Sequence, residues 1–199
     1  TVFHLAGRIE AGISFQEPTE FYDVNTGGTI HLLQKMKKFK IQRIVYSSTA
    51  GVYKAKNEPL RENDELAKNS PYSSSKLCSE QAIRDSGIDF TILRYFNLAG
   101  ADPEGEMGED HDPETHLIPR ILQNLNTVEI YGDDYETPDG SCIRDYIHVQ
   151  DIAEAHLNIW EYLKKVQEYR IFNIGTGIGY SLAVILIVSL FDAICSRKF

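Results

Sequence analysis

Short apolar, β-branched runs punctuate the chain at Val2–Leu5, Arg43–Ser47 (RIVYS), Phe90–Leu93 and Arg170–Ile174 (RIFNI). Longer stretches with apolar positions at helical spacing lie among them: Phe21–Lys38, Tyr72–Ser86, Leu117–Leu125 and Asp151–Lys165. Strands alternating with helices of this length predict parallel βαβ units, and hence an α/β chain with a doubly wound parallel sheet. Sheets of that kind bind ligands in the crevice beyond the carboxyl ends of their strands. The informative residues should therefore follow the strands. HLAG follows the first, SSTAGVY the second and RYFNLAG the third.

Both ends of the pattern read as interrupted. TVFHLAG opens inside a buried strand, with neither an initiator Met nor a signal peptide. At the other end an apolar run from Leu182 to Phe191 is broken only by Ser189. A membrane span needs about 20 apolar residues, so a buried helix is expected there and no membrane partner. The chain is thus expected to be a segment of a longer protein. Its 199 residues are ample for a core, and 42% hydrophobic with 25% charged residues reads as soluble and globular. The net charge of -9 disfavours nucleic acid as the main partner. Cys78, Cys142 and Cys195 are odd in number, far apart and outside any C-x-x-C pairing, which suits a reducing, cytoplasmic setting.

Within SPYSSSKLCSEQ, residues 70–81, Tyr72 and Lys76 sit four apart and share one helix face. A phenol beside an ammonium is a candidate acid/base pair. Eleven tyrosines and eleven lysines in 199 residues make about 0.6 such pairs expected by chance, so the spacing alone decides nothing. No G-x-G-x-x-G turn is present to mark a dinucleotide site. Gly175-Thr-Gly177-Ile-Gly179 has the wrong spacing and reads as a turn leading to Ser181 as a helix cap. His111, Glu114 and His116 in GEDHDPETH suggest a metal site but find no clear further ligand in helical register, and no metal is expected. Asp145, His148 and Asp151 read as a structural turn before a helix rather than a hydrolytic triad.

The order HLAG, Asn25 in FYDVNTGGT, SSTAGVY, Tyr72-x-x-x-Lys76 and RYFNLAGAD resembles the extended short-chain dehydrogenase/reductases. YGDDYETPDGSCIRDYIHVQDIAEAH, residues 131–156, together with GEMGED and ETHLIPRIL, narrows the resemblance to the UDP-glucose 4-epimerase family. It runs from about Val2 to Ser181 and omits both ends of such an enzyme. It implies an incomplete Rossmann-like sheet over residues 1–96, the C-terminal part of an NAD-binding domain with the catalytic Tyr and Lys. Residues 97–199 would be a mixed region with substrate-binding segments, returning strands and a truncated C-terminal helix, part of a smaller substrate-binding subdomain.

The implied activity is NAD-dependent interconversion of UDP-glucose and UDP-galactose through a 4-keto sugar. Thr49, Tyr72 and Lys76 take the catalytic positions. Leu5, Ala6, Gly7, Asn25, Ser47 and Tyr95 join Tyr72 and Lys76 against NAD. Asn97, His116, Leu117, Tyr131 and Arg144 join Thr49 against the UDP-sugar. The chemistry needs a base near neutrality to take the O4 proton. Moving a phenol from about 10 to about 7 takes roughly 4 kcal/mol, which Lys76 and a positive nicotinamide are expected to supply. Related dehydratases resemble this pattern but place an Asp-Glu pair directly after the threonine, where Ala50 and Gly51 stand here. Ile9 and Lys54 depart from the usual Lys and Gly of the family. The resemblance further implies a homodimeric parent enzyme. By itself the chain is expected to be inactive, because the phosphate-binding turn would precede Thr1. Alternatives are an epimerase of an N-acetylated or pentose UDP-sugar, or an epimerase-like protein that only binds.

Overall fold

A computed structural model of the chain describes residues 1–112, 114–123, 132–165 and 170–187. In chain order the elements run β1 (Val2–His4), α1 (Pro18–Phe21), α2 (Gly28–Lys38), β2 (Arg43–Thr49), α3 (Pro71–Asp85), β3 (Asp89–Tyr95), β4 (Asn97–Ala99), α4 (Leu117–Gln123), β5 (Ile143–His148), α5 (Val149–Leu163), β6 (Arg170–Ile174) and β7 (Gly179–Ser181). A π-helical segment, Tyr22–Gly27, joins α1 directly to α2.

The main sheet is parallel in the order β1-β2-β3-β6. Its strands are apolar on both faces because helices cover both. Ile44, Tyr46, Phe90 and Ile92 pack on one side with Leu33 and Met36 of α2 and Ile83 of α3. Val45 and Leu93 point the other way, to Leu163 of α5 and its neighbours Ile159 and Tyr162. That alternation explains why RIVYS carries no polar face until Ser47, and it makes the sheet doubly wound. Each buried Ile or Leu contributes roughly 1.5–3 kcal/mol relative to exposure.

A second, three-stranded sheet has the order β4-β5-β7, with β4 parallel and β7 antiparallel to β5. The chain divides into two compact units. One comprises Thr1–Phe96 with Ile152–Ile174; the other takes in Asn97–Asp151 and the described residues from Gly175 onward. In the second, Asp145 accepts hydrogen bonds from the Thr176 amide and hydroxyl and the Gly177 amide, at 2.7 to 2.9 Å. Gly177 sits at φ +76, where a side chain would be strained, so the glycine turn is held by a carboxylate. Ser181 Oγ accepts from the Val184 amide at 3.4 Å and caps the helical residues 182–187. The expected burial of that tail does not hold over these residues: Val184 and Ile187 are exposed. Residues 188–199 lie outside the described residues, and no described helix is long and apolar enough to cross a membrane.

Candidate active site

The serine-rich start of α3 is a capping device. Ser70 Oγ accepts from the Ser73 amide at 3.1 Å while Ser73 Oγ accepts from the Ser70 amide at 3.0 Å, and Pro71 occupies the first turn. Helix α3 therefore begins one residue before Tyr72, and its geometry brings Tyr72 and Lys76 onto one face. The next serines are packing devices. Ser75 and Ser79 are buried, and small enough for α3 to approach the π-helical segment closely. Ser75 Oγ donates to the Tyr72 carbonyl and accepts from Asn25 Nδ2, while Ser79 Oγ donates to the Asn25 carbonyl at 3.0 Å.

Asn25 is the hub of this contact. Its Oδ1 accepts from the Arg8 amide at 2.8 Å, and its Nδ2 donates to the Arg8 carbonyl at 3.1 Å. The π turn directs this buried amide back onto the segment after β1, and π turns occur frequently at functional sites. That segment is Leu5-Ala6-Gly7. A Cβ added to Gly7 would stand 2.8 Å from Asn25 Oδ1 and 3.2 Å from Lys76 Nζ, so glycine alone fits. Leu5 and Ala6 are exposed beside it.

Lys76 is 3% exposed and donates from Nζ to the Ser47 carbonyl at 2.9 Å. Burial pushes its pKa down to about 8, against the opposing pull of Glu80 one turn along the helix. Tyr72 stacks edge-on to Phe21. Burial raises its phenol above the ordinary value, while the neighbouring Thr49 hydroxyl works the other way. The expectation that Lys76 lowers this phenol is not what the chain itself does. The ammonium is aimed at the Ser47 carbonyl, and desolvation dominates at Tyr72. Thr49 ends β2, and its Oγ1 accepts from the Gly51 amide at 3.0 Å.

A second hydrogen-bonded chain leads away from Ser47. The His156 Nδ1 faces the Ile152 carbonyl at 2.8 Å, which only a ring N–H can satisfy. Its Nε2 is hydrogen-bonded to Tyr95 OH at 2.7 Å, and that hydroxyl is hydrogen-bonded to Ser47 Oγ at 2.8 Å. Burial raises the Tyr95 pKa to about 12, so that phenol stays a donor. Beneath the site, Glu80 and Arg94 form a bidentate pair at 3.0 and 2.6 Å, both side chains 1% exposed, and Ser48 Oγ donates to the same carboxylate at 2.6 Å. The pair ties α3 to β2 and β3 one turn below Lys76.

The structure thus gathers Gly7, Asn25, Ser47, Thr49, Tyr72, Lys76 and Tyr95 at the carboxyl ends of the parallel strands. In the second unit, Asn97 begins β4 opposite Tyr146 of β5, on the face that Arg144 shares. Arg144 is exposed and spends one guanidinium N–H on the Ile143 carbonyl. His116 immediately precedes α4, which Leu117 opens. Tyr131 lies outside the described residues. Reading the sequence alone passed over His156, Glu80 and Arg94. The one available signal for His156 was its place four residues after Ile152 on a helix whose other inward positions are apolar.

Residues 1–175 match the NAD dependent epimerase/dehydratase family. The chain belongs to that family. It is 44% identical over 195 residues to the UDP-glucose 4-epimerase of Halalkalibacterium halodurans, covering 94% of this chain and 58% of that protein. Among solved structures it resembles the UDP-glucose 4-epimerase of Brucella ovis in complex with NAD, at TM-score 0.88 and 42% identity, over 93% of this chain and 60% of that one. The UDP-glucose 4-epimerase of Bifidobacterium longum, in complex with NAD+ and UDP, aligns at TM-score 0.85 and 39% identity, over 92% and 58% of the two chains. The chain therefore spans about 58–60% of the length of these epimerase relatives. As a family member it carries the parallel sheet, with Gly7, Ser47, Thr49 and Tyr95 at or beyond the ends of β1, β2 and β3.

Proposed function

We propose that the protein to which this chain belongs interconverts UDP-glucose and UDP-galactose by reversible oxidation at C4, using NAD. The observation that carries the reading is the placement of Thr49 at the end of β2 and of Tyr72 and Lys76 on one face of α3, with Lys76 Nζ bonded to the Ser47 carbonyl of β2. When bound, NAD would supply a reversible hydride acceptor for C4 and a positive charge. Leu5, Ala6, Gly7, Asn25, Ser47 and Tyr95 are the residues that would hold NAD, and the glycine that lets the segment after β1 lie directly against Asn25 and Lys76 fits that role.

Tyr72 takes the O4 proton as the ketone forms and gives it back to O4 when the hydride returns, so the cycle leaves no net proton change. Thr49 orients O4 and the phenol together. Lys76, mostly charged at pH 7 with a pKa near 8, fixes the Ser47 end of the site through its carbonyl. The turn after Thr49 offers only Ala50 and Gly51, which contain no acid to expel water, and this favours epimerisation over dehydration. Asn97, His116, Leu117, Tyr131 and Arg144 are assigned to the UDP-sugar, Arg144 as a guanidinium fork for the diphosphate. We further assign the protein to the cytoplasm, supported by the free thiols Cys78 and Cys142, and take the parent enzyme as a homodimer on its resemblance to the family.

The test is to incubate the complete protein with UDP-galactose and NAD and follow UDP-glucose by chromatography. Conversion to a fixed ratio reached from either sugar is expected. Recovery of unchanged substrate by a folded, NAD-loaded protein would overturn the reading.

A further inference from the structure

Four side chains in the segment before α4 converge, and of these only His116 has a part in the proposed function, against the UDP-sugar. Glu109, His111, Glu114 and His116 bring one donor atom each to within 4.8 Å of one another. His111 Nδ1 lies 3.1 Å from Glu109 Oε1 and 3.7 Å from Glu114 Oε2. His116 Nδ1 touches the same Glu109 oxygen and lies 4.0 Å from Glu114 Oε1. The two imidazoles meet edge to face with centroids 4.9 Å apart.

Neutral imidazole N–H groups or a shared divalent cation satisfy two ring nitrogens that face one carboxylate oxygen. Only the cation engages all four donors at once, and two neutral imidazoles and two carboxylates balance its 2+ charge. Tetrahedral zinc with bonds of about 2.0–2.2 Å sets its donor atoms about 3.4 Å apart. The His111 separations of 3.1 Å to Glu109 Oε1 and 3.7 Å to Glu114 Oε2 bracket that edge, while His116 Nδ1 stands closer to Glu109 Oε1 than the edge length. The outer support is also present: the His116 amide donates to Glu114 Oε1 at 2.7 Å, orienting the carboxylate and leaving Oε2 for a metal. Glu109 is the ligand that helical register concealed, because the set follows a loop, Glu-x-His-x-x-Glu-x-His, rather than a helix face.

We propose that Glu109, His111, Glu114 and His116 form a four-coordinate site for a divalent transition metal, zinc by its donor set. Nitrogen donors argue against calcium or magnesium, which prefer oxygen throughout. With four protein ligands the site is closed and structural, fixing the segment that leads into Leu117 and α4.

The experiment uses the complete protein, stripped with a chelator and titrated with zinc against a chromophoric competitor, and with cobalt to read the coordination number from its visible spectrum. One equivalent per chain and a four-coordinate cobalt spectrum are expected. Glu109→Gln and His111→Ala should each weaken binding at least about tenfold, the scale that loss of even an outer metal partner produces. His31→Ala, an exposed histidine on α2, should leave binding unchanged. Because the unmodified protein is measured first, a variant that fails to fold does not protect the proposal. Absence of a stoichiometric site, or zinc affinity unchanged in a folded Glu109→Gln protein, means the cluster is an ion-pair network only and overturns it.

Discussion

Replacing Lys76 by Met should make the fold more stable while disabling it. The ammonium is buried, and its pKa falls from 10.5 to about 8 because desolvation outweighs the pull of Glu80. At about 1.36 kcal/mol per unit, that shift means charged Lys76 costs the folded state about 3 kcal/mol at pH 7. Met keeps the apolar stem and loses the charge, but it leaves the Ser47 carbonyl without its 2.9 Å donor, a loss of about 1–2 kcal/mol. The net expectation is a gain of roughly 1–2 kcal/mol at pH 7. The pH dependence carries a definite sign. The folded pKa lies below the unfolded one, so between about pH 8 and 10.5 the unfolded chain binds more protons and the Lys76 protein gains stability as pH rises. The Met protein lacks that gain. Urea unfolding of both proteins at pH 7 and near pH 10 measures it. The advantage of Met should shrink or reverse at the higher pH. A Met protein less stable at pH 7, or a difference independent of pH, would show that burial does not strain this lysine.

The remaining predictions concern the groups around it. Tyr72→Phe should lower turnover by about 10²–10⁴-fold with UDP-sugar affinity nearly intact, because a single phenolic oxygen is lost; steady-state kinetics showing unchanged turnover would remove Tyr72 from the chemistry. Gly7→Ala should lower thermal stability together with NAD binding, since the new methyl displaces the buried Asn25 Oδ1 from the Arg8 amide and crowds Lys76 Nζ; a melting curve that stays unchanged would refute this close approach. Glu80→Ala should destabilise the fold by about 3–5 kcal/mol by stranding the Arg94 charge, which is 1% exposed in its pair, and denaturant unfolding reads it directly.

How much of this was legible in the sequence depends on how local each cause is. RIVYS and RIFNI announce themselves because strands covered on both faces must be apolar throughout, and the observed β6 coincides with Arg170–Ile174. Helix α3 was legible from its caps. By contrast β4 (NLA), β5 (IRDYIH) and β7 (GYS) are short and carry polar or exposed residues, so only pairing with distant partners makes them strands. The π turn was concealed for the same reason. Asn25 and two glycines look like a weak patch in a helix until Arg8, Ser75 and Ser79 are seen to consume the groups it exposes. Of the candidate residues, the spacing placed Tyr72 and Lys76 together, but which way the ammonium points is set by the Ser47 carbonyl. The raised Tyr72 phenol follows from its own burial. Glu109 escaped notice because loop register has no period to read.

The central claim is that hydrogen leaves C4 as hydride, stays in the site and returns to the same carbon. It is tested by converting UDP-glucose carrying deuterium at C4 in ordinary water and weighing the UDP-galactose formed. The account predicts product that keeps its deuterium at C4, because only the O4 proton passes through Tyr72. Product that has exchanged the label for solvent hydrogen would contradict it and assign the reaction to proton abstraction from carbon.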